Sequence, residues 1–251
     1  MFRSSLVKLA AAAAVGASAV GGVTALAGTD DGAHARQPAN LGQVKNDVKA
    51  YYGDYLDAAG KHHYSETGDW ATDTARQVGD ARQFLAKRLA DGVANPAIVL
   101  DIDDTSESTY GWEADNDFGF DPVKQEQAIE SGEFTAVKPT LELANWAAQR
   151  GVQVYFLTGR KEHQGPASLK NLANEGYPAP AGAFFKPETA APDYLPCGLS
   201  CNTVQYKSGT RAHLESTGAT VLLNVGDQYS DLEGGHAERS VKLPNPMYYL
   251  P

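Results

Sequence analysis

The stretch Ala97-Ile98-Val99-Leu100-Asp101-Ile102-Asp103-Asp104-Thr105 decides how the rest of the chain is read. Ile98, Val99 and Leu100 make a short apolar run of the kind that fills a strand buried on both faces of a parallel sheet. The run stops in three carboxylates within four positions. Aspartate is a poor strand former and is rarely buried without a partner. An apolar strand that ends in acid therefore points to a site at its carboxyl end, where open α/β sheets place their ligands. Strand alternation puts Asp101 and Asp103 on one side and Ile102 on the other. Two adjacent carboxylates repel unless a cation or a shared proton relieves them. Taken alone, the stretch fits a solvated acidic turn as well.

Two segments repeat the pattern downstream. Val152 to Leu157 reads as a strand leading into Thr158-Gly159-Arg160, and Thr220 to Val225 as a strand leading into Gly226-Asp227-Gln228-Tyr229-Ser230-Asp231. Helical segments separate them: Pro139 to Arg150, ended by Gly151; Gln164 to Glu175, ended by Gly176; and Lys207 to Thr217. Ala183 to Phe185 reads as a short strand, and 186–202 as an irregular, Pro-rich connection. The alternation of strand and helix implies right-handed crossovers and a parallel sheet.

Upstream, Leu41, Val44, Val48, Tyr51, Tyr52, Tyr55 and Leu56 recur at helical spacing, with Gly60 as the stop. Residues 61–69 read as a loop whose adjacent histidines, His62 and His63, are expected to be solvated rather than to bind metal. Trp70 to Ala90 reads as a second helix with Val78, Ala81, Phe84, Leu85 and Leu89 on one face. Residues 106–138 keep no sustained period and carry Tyr110, Trp112, Phe118, Phe120 and Phe134 among Glu113, Asp115, Asp117 and Asp121. This segment is expected to stand over the strand end as an insertion, with a short helix near Pro122 to Ser131. Its rings either offer faces to a substrate or pack the insertion's own small core.

At 251 residues with 42% hydrophobic content, the chain can bury one sizeable core. A net charge of -10 argues against nucleic acid or an anionic membrane as the main partner. Anionic small molecules stay open, because a local cation can dominate a site. Arg3 and Lys8 precede an Ala-rich apolar run from Leu9 to Leu26. Ala25-Leu26-Ala27 then fits the small-residue end of a secretory signal, with Ala33-His34-Ala35 as a second candidate. A transmembrane anchor is the alternative for a run of this length, but Ala and Gly dominate it. Residues 1–27 are thus expected to be a cleaved signal and 28–40 a disordered linker, giving an exported protein without stable membrane insertion. In that compartment Cys197 and Cys201 are expected to form a disulfide. No neighbouring His or Cys completes a metal-ligand set, and a redox pair is usually spaced more tightly.

A parallel sheet brings the three strand ends to one edge, and with them Asp101, Asp103, Thr158, Asp227 and Asp231. Lys207, opening a helix just before the last strand, joins them. Three or four carboxylates call for a hard divalent cation, and Mg²⁺ suits them because it takes oxygen ligands and keeps several waters. An ammonium and a metal can hold a phosphoryl group from two sides. A carboxylate can act as nucleophile and form an aspartyl-phosphate.

The ordered set Asp101-x-Asp103-x-Thr105, Thr158-Gly159-Arg160, Lys207 and Gly226-Asp227-x-x-x-Asp231 resembles the four motifs of the haloacid dehalogenase (HAD) superfamily. More narrowly, Leu100-Asp101-Ile102-Asp103-Asp104-Thr105, Tyr206-Lys207-Ser208, Gly226-Asp227-Gln228-Tyr229-Ser230-Asp231-Leu232 and the tail Lys242-Leu243-Pro244-Asn245-Pro246-Met247-Tyr248-Tyr249 resemble the class B acid phosphatase group. That group includes plant acid phosphatases with their vegetative storage relatives, and bacterial surface phosphatases. The resemblance covers roughly 41–251. It implies an α/β, HAD-like Rossmannoid three-layer fold with a parallel central sheet and a small cap insertion, about 106–138, after the first strand. The implied function is that of an exported, Mg²⁺-dependent acid phosphatase acting on small phosphate monoesters through an aspartyl-phosphate.

By position, Asp101 is the implied nucleophile, and Asp103 the acid that protonates the leaving oxygen and then activates water. Thr158 is implied to hydrogen-bond the phosphoryl oxygens, and Lys207 to neutralise charge and orient the nucleophile. Asp101, the Asp103 backbone carbonyl and Asp227 are implied to hold Mg²⁺, with Asp231 ligating through water or holding Lys207. Arg160, Trp112 and Tyr110 are the candidate substrate-binding residues. Relatives usually carry apolar residues just after the first motif, where this chain has Ser106 and Glu107. That departure and the Cys197–Cys201 segment bear on the substrate mouth. A non-catalytic storage or ligand-binding protein on the same fold is the alternative function, and the presence of Asp101 speaks against it.

Overall fold

Ile98 and Leu100 face one side of the central strand and Val99 faces the other, and both sides are covered, so all three residues are buried. A strand with no polar position can only sit in the middle of a sheet that carries helices on both faces. The computed structural model describes residues 38–250, and from Asn40 on they form one compact unit. The signal expected over 1–27 and most of the linker over 28–40 lie outside the described residues.

Helix α1 (Leu41–Tyr52) starts at Asn40, whose side chain accepts from the Gln43 amide, and stops at Gly53 with a left-handed φ of 63°. Gly53, not Gly60, is the stop, so the helix is shorter than its apolar spacing predicts. Tyr55 and Leu56 instead form β1 (Tyr55–Leu56), which pairs antiparallel with β2 (His62–His63). The histidines lie in a strand rather than a loop: His62 is half-buried and contacts Asp54 at 2.9 Å, while His63 is solvated as expected and contacts Asp57 at 3.1 Å.

Next come α2 (Asp69–Ala90) and the central strand β3 (Pro96–Leu100). The insertion holds β4 (Glu107–Ser108), α3 (Tyr110–Asp115), α4 (Pro122–Ser131) and β5 (Thr135–Ala136). β4 and β5 pair antiparallel at its base, so the chain leaves and re-enters the core at one place. Then follow α5 (Lys138–Ala148), β6 (Gln153–Lys161), α6 (Gly165–Asn174), β7 (Gly182–Lys186), α7 (Thr203–Ser216), β8 (Thr220–Gly226), α8 (Tyr229–Leu232) and β9 (Arg239–Lys242).

The main sheet has the order β7-β6-β3-β8-β9, with every neighbouring pair parallel. Its edge strand β9 has no counterpart in the sequence reading, because only Val241 of its four residues is buried and no apolar run marks it. Leu143 and Ala147 from α5, Leu85 from α2 and Leu172 from α6 pack with Ile98, Leu100 and Phe156. Tyr206 and Leu214 from α7 pack with Val99 and Leu157 on the other face. Each fully buried Leu, Ile or Phe contributes roughly 1.5–3 kcal/mol, and the expected three-layer α/β architecture results. In the connection before α7, Cys197 and Cys201 form a disulfide. Among the described residues no helix is long and apolar enough to cross a membrane.

Candidate active site

The first motif begins as strand and ends as a tight curl. The Asp101 amide still donates to the Val225 carbonyl at 3.0 Å, continuing the ladder. The Ile102 carbonyl then accepts from the amides of Ser106 and Glu107, each at 2.8 Å, and Asp104 adopts a φ of 50°. Ser106 closes the curl by donating its hydroxyl to the Asp101 carbonyl at 2.6 Å. Asp101 and Asp103 do line one cleft, but the curl brings them together rather than strand alternation. Asp104 is instead wholly buried, accepting from the amide and hydroxyl of Thr109 and from the Tyr248 hydroxyl. Burial pushes its carboxyl up to about 7 against those hydrogen bonds.

Lys207 reaches the same place from α7. Its ammonium lies 2.6 Å from Asp101 Oδ1 and 2.6 Å from Asp231 Oδ1, and all three side chains are buried. Burial alone would lower the lysine, but the two carboxylates overcome it and hold it charged. Lys207 does not open its helix, contrary to the sequence reading. α7 starts at Thr203 behind Asn202, whose side chain and that of Gln205 satisfy each other's backbone amides, so Lys207 stands a turn further in. Asp231 approaches because residue 226 is glycine: a Cβ there would lie 2.5 Å from Asp231 Cβ. Of the two roles implied for Asp231, the structure has it holding Lys207; its other oxygen accepts from the Gln228 amide at 2.9 Å.

Asp227 lies at the end of β8. Its Oδ2 accepts from Gln228 Nε2 and Asn245 Nδ2, each at 2.7 Å, and its Oδ1 from the Thr105 hydroxyl at 3.3 Å. Burial pushes its carboxyl up to about 7, with Asp231 and Asp104 adding to the shift. Burial raises Asp101 too; the Lys207 ammonium opposes this, Asp231 and Asp227 add to it, and the net direction is upward. Carboxylate oxygens of Asp101, Asp227 and Asp231 all lie within 4.8 Å of one another. Three buried carboxylates against one ammonium are a donor set that a hard divalent cation would relieve.

The remaining predicted residues fall differently. Thr158 is fully buried within β6, and its hydroxyl accepts from the Arg160 amide at 3.1 Å. Arg160 lines the cleft, yet its guanidinium is taken up by protein: Asp103 at 2.8 Å, Glu107 at 2.8 Å and Ser168 at 2.9 Å. It clamps carboxylates, where the sequence reading made it a substrate contact. Tyr110 and Trp112 are likewise corrected. Tyr110 is wholly buried and stacks on Tyr52 with ring centroids 4.1 Å apart, while Trp112 packs with Ala128, Ile129 and Phe134 inside the insertion. Apolar rings with a core within reach are drawn into it. Phe120 alone of the insertion's rings lines the cleft, and it is 69% exposed.

The cleft encloses about 430 Å³ and also takes in Glu126, His163 and Lys186. A second cavity, of about 560 Å³, lies between the β1–β2 hairpin and the insertion and touches none of the four motifs. Gln228 and Asn245 were not among the predicted site residues, and Glu107 was singled out only as a departure bearing on the substrate mouth. Asn245 did carry a signal, a lone amide between two prolines in a tail that from Leu243 on otherwise holds aromatic and apolar residues.

The model of the HAD superfamily, subfamily IIIB (Acid phosphatase), matches residues 33–251. Acid phosphatase 1 of Solanum lycopersicum is 33% identical over 156 residues, 61% of this chain and 58% of that protein. Vegetative storage protein 1 of Arabidopsis thaliana is 29% identical over 219 residues, 84% of this chain and 74% of that protein. In fold, the chain is similar to the class C acid phosphatase from Bacillus anthracis, with a TM-score of 0.62 over 83% of this chain and 86% of that one at 20% identity. The family match spans the whole described unit, and with it the strand ends that deliver the carboxylates and the helix that delivers Lys207 to the cleft, so this chain belongs to the acid phosphatase subfamily IIIB of the HAD superfamily.

Proposed function

We propose that the protein is an exported, Mg²⁺-dependent phosphatase that hydrolyses small phosphate monoesters through an aspartyl-phosphate. The observation that carries this reading is the buried contact of Lys207 with Asp101 at 2.6 Å, beside Asp103 in one cleft. Lys207 orients Asp101 Oδ1 and holds positive charge where a phosphoryl group would sit. Asp101 attacks phosphorus and displaces the leaving oxygen, which takes a proton from Asp103. Asp103, now ionised, takes a proton from water as that water attacks the aspartyl-phosphate and releases inorganic phosphate. Gly159 lines the cleft from β6, next in the chain to the fully buried Thr158. Asp101, Asp227 and the Asp103 backbone carbonyl would hold Mg²⁺, which when bound would supply further positive charge to the phosphoryl oxygens. The signal pattern at the N-terminus and the Cys197–Cys201 disulfide support export.

A storage role on the same fold is the second reading, favoured by the vegetative storage relative. The intact set of Asp101, Asp103 and Lys207 favours the enzyme. The deciding experiment compares wild type and Asp101→Asn on p-nitrophenyl phosphate with Mg²⁺. Wild type is expected to turn over, and the variant to lose at least about a thousandfold in kcat. An inactive wild type would favour storage, and an active Asp101→Asn protein would remove the covalent step.

A further inference from the structure

Glu107 follows the first motif at the start of the insertion, and its side chain is completely buried. A buried carboxylate is costly unless donors meet it. Two do. Arg160 Nη2 donates to its Oε2 at 2.8 Å, and Asn171 Nδ2 to its Oε1 at 2.9 Å. The same Nη2 also donates to Asp103 Oδ1 at 2.8 Å, so one guanidinium nitrogen bridges the two carboxylates.

The rest of the guanidinium is held as firmly. Nη1 donates to Ser168 at 2.9 Å, and the group lies 5.4 Å from the centroid of the Phe134 ring. Asn171 itself is anchored on the Phe134 carbonyl at 2.7 Å. Asp103 and Arg160 both line the cleft, but Asp103 is the more open of the two, with 21% of its side chain exposed against 3% for Arg160. Asp103 Oδ1 accepts from Nη2 at 2.8 Å and from Nε at 3.2 Å, whereas Oδ2 accepts from Nε alone, at 3.1 Å. Oδ2 is therefore the oxygen left to carry a proton. An Arg160 tied only to Asp103 would be free to swing with it; Glu107 removes that freedom from behind.

We propose that Glu107 is a positioning residue, which locks Arg160 so that the guanidinium fork fixes the Asp103 carboxyl for proton transfer to the leaving oxygen. The inference rests on the phosphatase reading. In the step concerned, Asp101 bonds to phosphorus, the ester P–O bond breaks, and the Asp103 proton passes to the leaving oxygen. An alkoxide needs that proton and p-nitrophenolate hardly does, so the role has a readout that a purely structural one lacks.

The experiment measures kcat/KM of Glu107→Gln on glycerol phosphate and on p-nitrophenyl phosphate, with melting temperature as the fold control. Efficiency on glycerol phosphate should fall roughly 10- to 100-fold, a fraction of what a general acid supplies, and on p-nitrophenyl phosphate by less than about threefold. Ser168→Ala, which loosens Arg160 and keeps Glu107, should show the same selectivity on a smaller scale, and decides the matter if Glu107→Gln does not fold. Equal losses on both esters, or no loss in either variant, overturn the proposal. A wild-type protein that hydrolyses neither ester overturns the phosphatase reading instead.

Discussion

Asp227 shows how little freedom one site residue has. Its Oδ2 is filled by Gln228 and Asn245, and only the 3.3 Å contact from Thr105 touches Oδ1. Oδ1 is thus the oxygen available to a cation, and the two amides fix its direction, as partners behind a metal ligand commonly do. EDTA should abolish hydrolysis and Mg²⁺ restore it. Asp227→Asn should raise the Mg²⁺ concentration for half activity more than Asn245→Ala, for which roughly 10- to 100-fold is expected. Calorimetric Mg²⁺ titration of each variant checks this independently of turnover. Full activity in metal-free buffer would take the cation out of the account.

At the level of elements, the insertion is where rings of one type end in opposite situations. Trp112 on α3 is 6% exposed and packs with residues of α4, whereas Phe120, in the turn between these helices, is 69% exposed at the cleft. Trp112→Ala should therefore act on stability, by roughly 3–5 kcal/mol, through the cavity it leaves. Phe120→Ala should leave stability within about 0.5 kcal/mol and narrow any preference for aryl over alkyl phosphates. Denaturant melts and paired kcat/KM values separate the two. A Trp112→Ala protein of wild-type stability would contradict the packing described. No helical or strand period runs through 106–138, so nothing local tells an inward ring from an outward one.

For the whole molecule, the buried carboxyls set a pH dependence. Burial pushes Asp104, Glu107, Glu113 and Asp227 each up to about 7, whereas an exposed carboxyl titrates near about 4. Between those values the fold binds protons that the unfolded chain has released. The associated stability is full below about pH 4 and is lost as pH rises through about 7. The metal-free protein should therefore melt at a lower temperature at about pH 8 than at about pH 5. Mg²⁺, which binds the ionised form of Asp227, should recover part of the difference at the higher pH. Melts across pH in EDTA and in Mg²⁺ provide the check, and a melting temperature that rises with pH in EDTA would count against these burials.

The order of strands β3, β6, β7 and β8 with the long helices between them, and which strand ends carry acid, were legible in the chain itself. Apolar runs such as Ile98 to Leu100 and Val221 to Leu223 are local patterns, and the parallel topology follows from them by connection rules. Asp101, Lys207, Asp227 and Asp231 could be placed together because each lies at the end of such an element or near it. Gly53 ended a helix that spacing carried further, since a left-handed residue outweighs apolar periodicity. Only the tertiary structure decided what Arg160 holds. Arginine offers the same fork to a substrate phosphate as to a protein carboxylate, and Glu107, distant in sequence, is brought within 2.8 Å only when the insertion closes on β6. The same holds for Tyr110, which stacks on Tyr52 of α1. Periodicity reports whether a side chain is buried, but which partner it meets depends on the packing of elements remote from it in sequence.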